Sequence, residues 1–260
     1  MKIGIQHSNS GSRVRHGMTQ HKMHITPAIL EQDFNIITDD LGLMRGHAHT
    51  VQIDICDGVF VPSVTWPYTQ ALLGIASRYY DSAFREIVQS EGEIGMPYCE
   101  EINIELDLMV SDPKGLMSDL LTLGPSKIIF HIESLKDSVA DMQALRKLAP
   151  GMVSFGIAIG RQTPLESIFP IIDEGLVQSV QCMGIKNIGV QGEAFDEGVL
   201  DTVRTLREKY PTLHISVDGG IKKEHVLLLK QAGATEAVVG SGIWNTQSPI
   251  DALKELKALV

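Results

Sequence analysis

The sequence predicts an α/β protein whose parallel strands close into a (β/α)8 TIM barrel. Three observations carry that expectation. From Met23 onward, short apolar runs alternate with helix-like segments, the pattern of parallel strands joined by covering helices. The alternation gives eight strand and helix pairs, the number that closes a barrel. No linker-like shift in composition divides residues 23–260, so one barrel domain is expected there, behind a disordered extension over residues 1–22.

Taken in order, the first strand is expected at His24 to Ile29, with a helix opening near Glu31 and Asp33. In the second strand, Val51, Ile53 and Ile55 alternate with Gln52, Asp54 and Cys56, which puts Gln52 and Asp54 on one face. A loop through Pro62 and Pro67 leads to a helix from about Thr69 to Gln89, and residues 91–99 read as a glycine-bearing connection. The third strand, Ile102 to Met109, alternates again and turns Asn103, Glu105, Asp107 and Met109 to the opposite side from its aliphatic residues.

A helix after Pro113 leads to the fourth strand, Lys127 to His131, and a helix from about Leu135 to Leu148 follows. The fifth strand is Val153 to Ile159, and Pro164 opens the next helix at a position where proline is tolerated. The sixth strand, Val177 to Met183, precedes a loop over Gly184 to Gly192 and a helix from about Phe195 to Tyr210. His214 to Asp218 and Glu236 to Val239 complete the set, ending in Gly219-Gly220 and Gly240-Ser241-Gly242.

Composition narrows the function classes. Net charge is −10; residues 1–22 carry Lys2, Arg13, Arg15 and Lys22 and no acid, which leaves −14 on the rest. So acidic a body argues against general nucleic-acid binding. No apolar run approaches a membrane span and no signal-peptide segment opens the chain, so a cytoplasmic location is expected. Cys56, Cys99 and Cys182 are too few and scattered for a disulfide framework, and His7, His16 and His21 have no partner that would make them a metal site.

In such a barrel the strand ends converge on one mouth. The polar residues at or near those ends are Gln52, Asp54, Asp107, His131 and Asp218. Taken singly, Asp54 reads equally as a cap or turn former, Asp107 and Asp218 can be read as caps for the loops that follow, and His131 as a hydrogen-bonded core residue. Together, three carboxylates in a low-dielectric cup repel one another, and a divalent cation is the simplest resolution. Gln52, Asp54, Asp107 and Asp218 would offer oxygen, which favours Mg²⁺ or Mn²⁺ over Zn²⁺. Gly219, Gly220, Gly240 and Ser241 fall in the loops after the seventh and eighth strands, the usual phosphate site of the barrel, so a phosphorylated substrate is expected.

Several stretches then show what the chain resembles: Ile25-Thr26-Pro27-Ala28-Ile29-Leu30, Asp54-Ile55-Cys56-Asp57-Gly58 with Phe60-Val61-Pro62, Phe130-His131-Ile132-Glu133, Val217-Asp218-Gly219-Gly220-Ile221 and Gly240-Ser241-Gly242-Ile243. In order and spacing they resemble the ribulose-phosphate 3-epimerase family over nearly all of residues 24–258. The resemblance implies inversion at carbon 3 of a ketopentose phosphate through an enediolate. Asp54 and Asp218 would be the acid/base pair on opposite faces, His131, Gly189 and Gly192 would join the substrate contacts, and homo-oligomers would be common. It also exposes departures: Gln52 and Asp107 stand where the family usually has metal-binding histidines, Ala28 replaces a serine, and Cys56 replaces a methionine. Lys186 to Glu193 replaces the usual covering loop.

Two other readings compete. A Schiff-base lyase would use Lys186, just beyond the sixth strand, and a sugar-phosphate sensor without turnover would account for the altered metal ligands. Decarboxylase and hexulose-phosphate synthase relatives carry an Asp-x-Lys-x-x-Asp run after the third strand; Leu106-Asp107-Leu108-Met109 has no such lysine.

Overall fold

The computed structural model describes residues 22–69, 80–90, 95–149, 151, 153–190 and 192–260. Nearly all of the expected N-terminal extension, with His7, His16 and His21, lies outside the described residues. Eight parallel strands form a closed barrel in sequence order: β1 His24–Ile29, β2 Thr50–Cys56, β3 Asn103–Met109, β4 Lys127–His131, β5 Ser154–Ile159, β6 Ser179–Met183, β7 His214–Asp218 and β8 Glu236–Val239. β1 closes the ring on β8, with His24 opposite Glu236 and Pro27 opposite Val239.

The helices are α1 Phe34–Met44, α2 Ser82–Gln89, α3 Pro113–Leu121, α4 Ser138–Leu148, α5 Phe169–Asp173, α6 Val199–Lys209, α7 Lys223–Ala232, α8 Ser241–Trp244 and α9 Pro249–Lys257. Local chemistry sets their starts. Asp33, Asp81, Asp112, Asp137 and Ser248 each accept a backbone N–H of the first turn, and Pro113 and Pro249 occupy the first turn, where no donor is lost. The outward strand residues Val51, Ile53, Ile55, Ile104, Leu106 and Leu108 are buried in the apolar layer between sheet and helices.

Four helix boundaries differ from the sequence expectation, one of them the helix expected from about Leu135, which starts at Ser138 under its Asp137 cap. Among the described residues, the helix expected from Thr69 begins only at Ser82, where Asp81 caps it through the Ala83 N–H; residues 70–79 lie outside the description. Pro164 opens not a continuous helix but a 3₁₀ turn, Leu165–Ser167, and α5 restarts at Phe169. Pro170 explains the break, since it would remove an interior hydrogen bond from any helix begun at residue 164. The helix expected from Phe195 starts at Val199, because Asp196 holds the Gly198 N–H at 2.9 Å in a turn.

Candidate active site

Period-two alternation turns one residue in two of every strand into the barrel. At the carboxyl-terminal end those residues include Asp54 of β2, Asp107 of β3, His131 of β4 and Asp218 of β7. Register brings the first two together, since Asp54 lies opposite Asp107 in the β2–β3 pair. Closure brings in the third, and carboxylate oxygens of Asp54, Asp107 and Asp218 all lie within 4.8 Å of one another.

The three aspartates are not equivalent. Asp54 and Asp218 are 9% and 8% exposed and line the mouth, whereas Asp107 is 0% exposed and sits behind them. Gln52 Nε2 donates to Asp54 Oδ1 at 2.8 Å and to Asp218 Oδ2 at 2.9 Å, so one amide ties the pair together. Gln181 Nε2 donates to Asp107 Oδ2 at 3.0 Å and to Asp218 Oδ2 at 3.3 Å. His131 Nε2 lies 3.1 Å from Asp107 Oδ1. Both oxygens of Asp107 are thus engaged. Among the described residues, Asp54 Oδ2 and Asp218 Oδ1 accept no side-chain hydrogen bond and remain free for a ligand.

The electrostatics follow from burial without a fixed cation. Burial first, and then the charges of Asp218 and Asp107, hold the Asp54 carboxyl well above the usual carboxylate range. Asp218 is pushed up to about 7 by burial and by Asp107, with the Gln52 amide acting in the other direction. Burial lowers the affinity of His131 for a proton, but the charge and hydrogen bond of Asp107 outweigh it and leave the imidazole raised.

Facing the free carboxylate oxygens is a glycine-lined wall. Gly189, Gly192, Gly219, Gly220, Gly240 and Ser241 all line the mouth, with Ala28, Met109 and Met183 between them. Gly219 and Gly220 take positive φ of 105° and 69°, and a Cβ on Gly220 would lie 2.6 Å from the Phe195 backbone nitrogen. The wall therefore stays backbone. Gly184 N–H donates to the Asp218 carbonyl at 2.6 Å, which pins the loop after β6 beside β7. Gly189 of that loop rests on Val61; Gln191 lies outside the described residues.

The structure therefore brings together Gln52, Asp54, Asp107 and Asp218, and at the same mouth Gly219, Gly220, Gly240 and Ser241, expected to bind phosphate, with Gly189 and Gly192, expected among the substrate contacts. It does not bring His131 to the mouth: the ring is fully buried behind Asp107, with Phe60 packed 5.4 Å from it. Lys186 is exposed and does not line the mouth, which gives a Schiff-base mechanism no support. Sequence reasoning missed Gln181. The signal was present, because Ser179, Gln181 and Met183 share the inner phase of β6 and a polar residue there needs a partner as much as Gln52 does.

Fold and site together define a (β/α)8 barrel that sets a pair of accessible carboxylates against a wall of glycine loops at one mouth. The sequence model of the ribulose-phosphate 3 epimerase family matches residues 91–244. The chain is 31% identical over 241 residues to the cytoplasmic isoform of ribulose-phosphate 3-epimerase from Oryza sativa subsp. japonica, covering 91% of this chain and 93% of that protein. It is 27% identical over 239 residues to ribulose-phosphate 3-epimerase from Candida glabrata, covering 90% of each. The chain belongs to the ribulose-phosphate 3-epimerase family. Among solved structures, KGPDC from Streptococcus mutans superposes with a TM-score of 0.63 over 91% of this chain and 96% of that one. At 15% identity that likeness shows the shared barrel alone.

Proposed function

We propose that this protein is a sugar-phosphate epimerase that interconverts ribulose 5-phosphate and xylulose 5-phosphate, or a related ketose phosphate, by proton transfer at carbon 3. The observation that carries the reading is the pairing of Asp54 and Asp218 through one amide, each keeping an oxygen free at a mouth walled by glycine loops. Membership of the epimerase family supports it.

Asp54 takes the proton from carbon 3 and Asp218 returns one from the other side. β2 and β7 reach the mouth with β1 and β8 between them, so the two carboxyls approach a bound sugar from different directions. Burial and the neighbouring carboxylates raise both, Asp218 to about 7, which suits an acid/base role at that residue because such a group works best when its pKa lies near the operating pH. The amides of Gly219, Gly220, Gly240 and Ser241 hold the phosphate, and the loop bearing Gly189 and Gly192 covers the sugar. His131 acts on Asp107 and not on substrate.

The donor set fits a divalent metal. The three carboxylates converge, and Gln52 Oε1 is buried without a hydrogen-bond partner. Asp54, Asp107 and Asp218 would hold the ion, while Gln52, whose NH₂ faces Asp54 and Asp218, supports two of these ligands as a donor rather than joining them as the ligand the sequence suggested. An all-oxygen set favours Mg²⁺ or Mn²⁺ over Zn²⁺. When bound, the ion supplies positive charge beside the sugar oxygens on which negative charge develops. No helix among the described residues is long and apolar enough to cross a membrane, and a cytoplasmic location fits this reading.

Proton NMR of ribulose 5-phosphate in D₂O tests the assignment, using chelator-treated protein alone and with Mg²⁺, Mn²⁺ or Zn²⁺ restored. The expected result is metal-dependent loss of the carbon 3 proton signal with appearance of xylulose 5-phosphate. No exchange under any condition, with a phosphate ligand still bound, would replace the epimerase by a sensor or by an enzyme of another sugar phosphate.

A further inference from the structure

We propose that Gln181 is a positioning residue, an amide clamp that sets the orientation of Asp218 by tying it to Asp107. The inference rests on the epimerase reading for its catalytic consequence, and on geometry alone for the clamp.

Gln181 lies in the inner phase of β6, one layer below the carboxylates, and is 1% exposed. Its Nε2 reaches Asp107 Oδ2 at 3.0 Å and Asp218 Oδ2 at 3.3 Å, so both amide hydrogens have a carboxylate acceptor. The other end of the amide is also held. Ser216 Oγ donates to Gln181 Oε1 at 3.3 Å, and Ser216 is the direct register partner of Gln181 in the β6–β7 pair. Nε2 donates to the two carboxyl groups and Oε1 accepts from the hydroxyl, so the NH₂ faces the aspartates and the oxygen faces Ser216. The order Ser216, Gln181, Asp107 and Asp218 is thereby fixed in one sense.

Gln52 and Gln181 both donate to Oδ2 of Asp218. With Oδ2 held from two sides, the carboxyl cannot spin about its Cβ–Cγ bond, and Oδ1 is kept toward the mouth where substrate binds. Asp107 is held just as firmly, with His131 on one oxygen and Gln181 on the other. An apolar residue at 181 would fill the space but leave a fully buried carboxylate oxygen of Asp107 without a donor, and Asp218 free to turn. Misplacement of a reacting group by about 1 Å is enough to cost on the order of 100-fold in rate.

Gln181→Met keeps the shape and removes both donors. It is expected to lower kcat by about ten- to 100-fold, with KM for ribulose 5-phosphate within about twofold of wild type. Ser216→Ala, which loosens the clamp without removing it, is expected to lower kcat by about two- to fivefold in the same sense. A purely structural role for Gln181 would lower the melting temperature and leave kcat per folded molecule unchanged, and that outcome overturns the proposal. The side-chain NH₂ resonances of Gln181 supply a readout that needs no turnover. In wild-type protein they should be protected from exchange with water and should shift in Asp107→Asn. If wild type shows no epimerisation, the proposed function fails, yet these resonances still decide the clamp: fast exchange and no shift in Asp107→Asn would reject it.

Discussion

At the amino-terminal end of the barrel, Lys127 sits between two buried glutamates, 2.8 Å from Glu105 and 3.4 Å from Glu236. His214 Nε2 donates to Glu236 at 2.8 Å, and the Thr26 hydroxyl donates to its other oxygen. At the carboxyl-terminal end three aspartates converge, and among the described residues no lysine or arginine forms an ion pair with them. Both clusters lie inside the same barrel, yet their proton affinities diverge. Burial raises Glu236, but His214 and Lys127 reverse the shift and bring it down to about 2. Asp54 and Asp218 are left high. The lower cluster sets the Lys127 ammonium between its two carboxyl groups and serves the fold. The upper one has two amides and a buried imidazole for partners and neither lysine nor arginine among the described residues, and can therefore take up and release protons or hold a cation.

The largest expected effect lies at the upper end. Asp54→Asn should lower turnover by about 10²- to 10⁴-fold, the usual contribution of a general base, while phosphate binding stays nearly intact. Because burial and the neighbouring carboxyls of Asp218 and Asp107 disfavour its ionised form in the folded protein, replacing it by a neutral amide should leave the melting temperature at or above that of wild type. Unchanged turnover would remove Asp54 as the base. A loss of stability comparable to that of a broken ion pair would erase the contrast between the two ends.

Lys127→Met applies the same test to the lower end and should behave in the opposite way. Two glutamates lose their shared cation, so urea unfolding should show a loss of about 3–5 kcal/mol. Turnover per folded molecule should stay within about twofold, since Lys127 lies at the opposite mouth of the barrel. Asp107→Ala ranks next. It should weaken Mn²⁺ binding to the chelator-treated protein by at least about tenfold. Equal affinity in wild type and variant would remove the oxygen-ligand site.

The smallest effect sharpens the lower cluster itself. Burial and Glu236 raise Glu105 to about 7, so its folded value lies above its ordinary 4.5. Such a group adds stability as pH falls from about 7 to 4.5. Glu236 is depressed from 4.5 to about 2, so its contribution is present above 4.5 and is lost as pH falls through about 2. Glu105→Gln should flatten the stability profile between pH 4.5 and 7. Glu236→Gln should flatten it only below 4.5. Urea midpoints across pH 2–8 for the two variants check the order, and coincident profiles would show that the two glutamates do not differ.

Sequence alone determined the barrel, because eight apolar runs of alternating phase and their helices are local patterns, as are the capping aspartates. It also determined that Asp54, Asp107 and Asp218 share one end and that the glycine pairs share the next two loops, since strand order in a barrel follows chain order. Helix starts after Pro67, Pro164 and Gly192 were less legible, because a single proline or turn outweighs the longer-range pattern. Only the tertiary structure decided which polar residues meet. Gln181 and Asp107 are 74 positions apart, and Lys127 and Glu236 are 109 apart. Nothing local in either segment marks the pairing, which exists only once the register is set and the ring is closed. Closure also decided that Asp107 lies behind with both oxygens engaged while Asp54 and Asp218 keep one free. That depends on how side chains from four strands pack into one layer, and so distinguishes three aspartates that look alike in sequence.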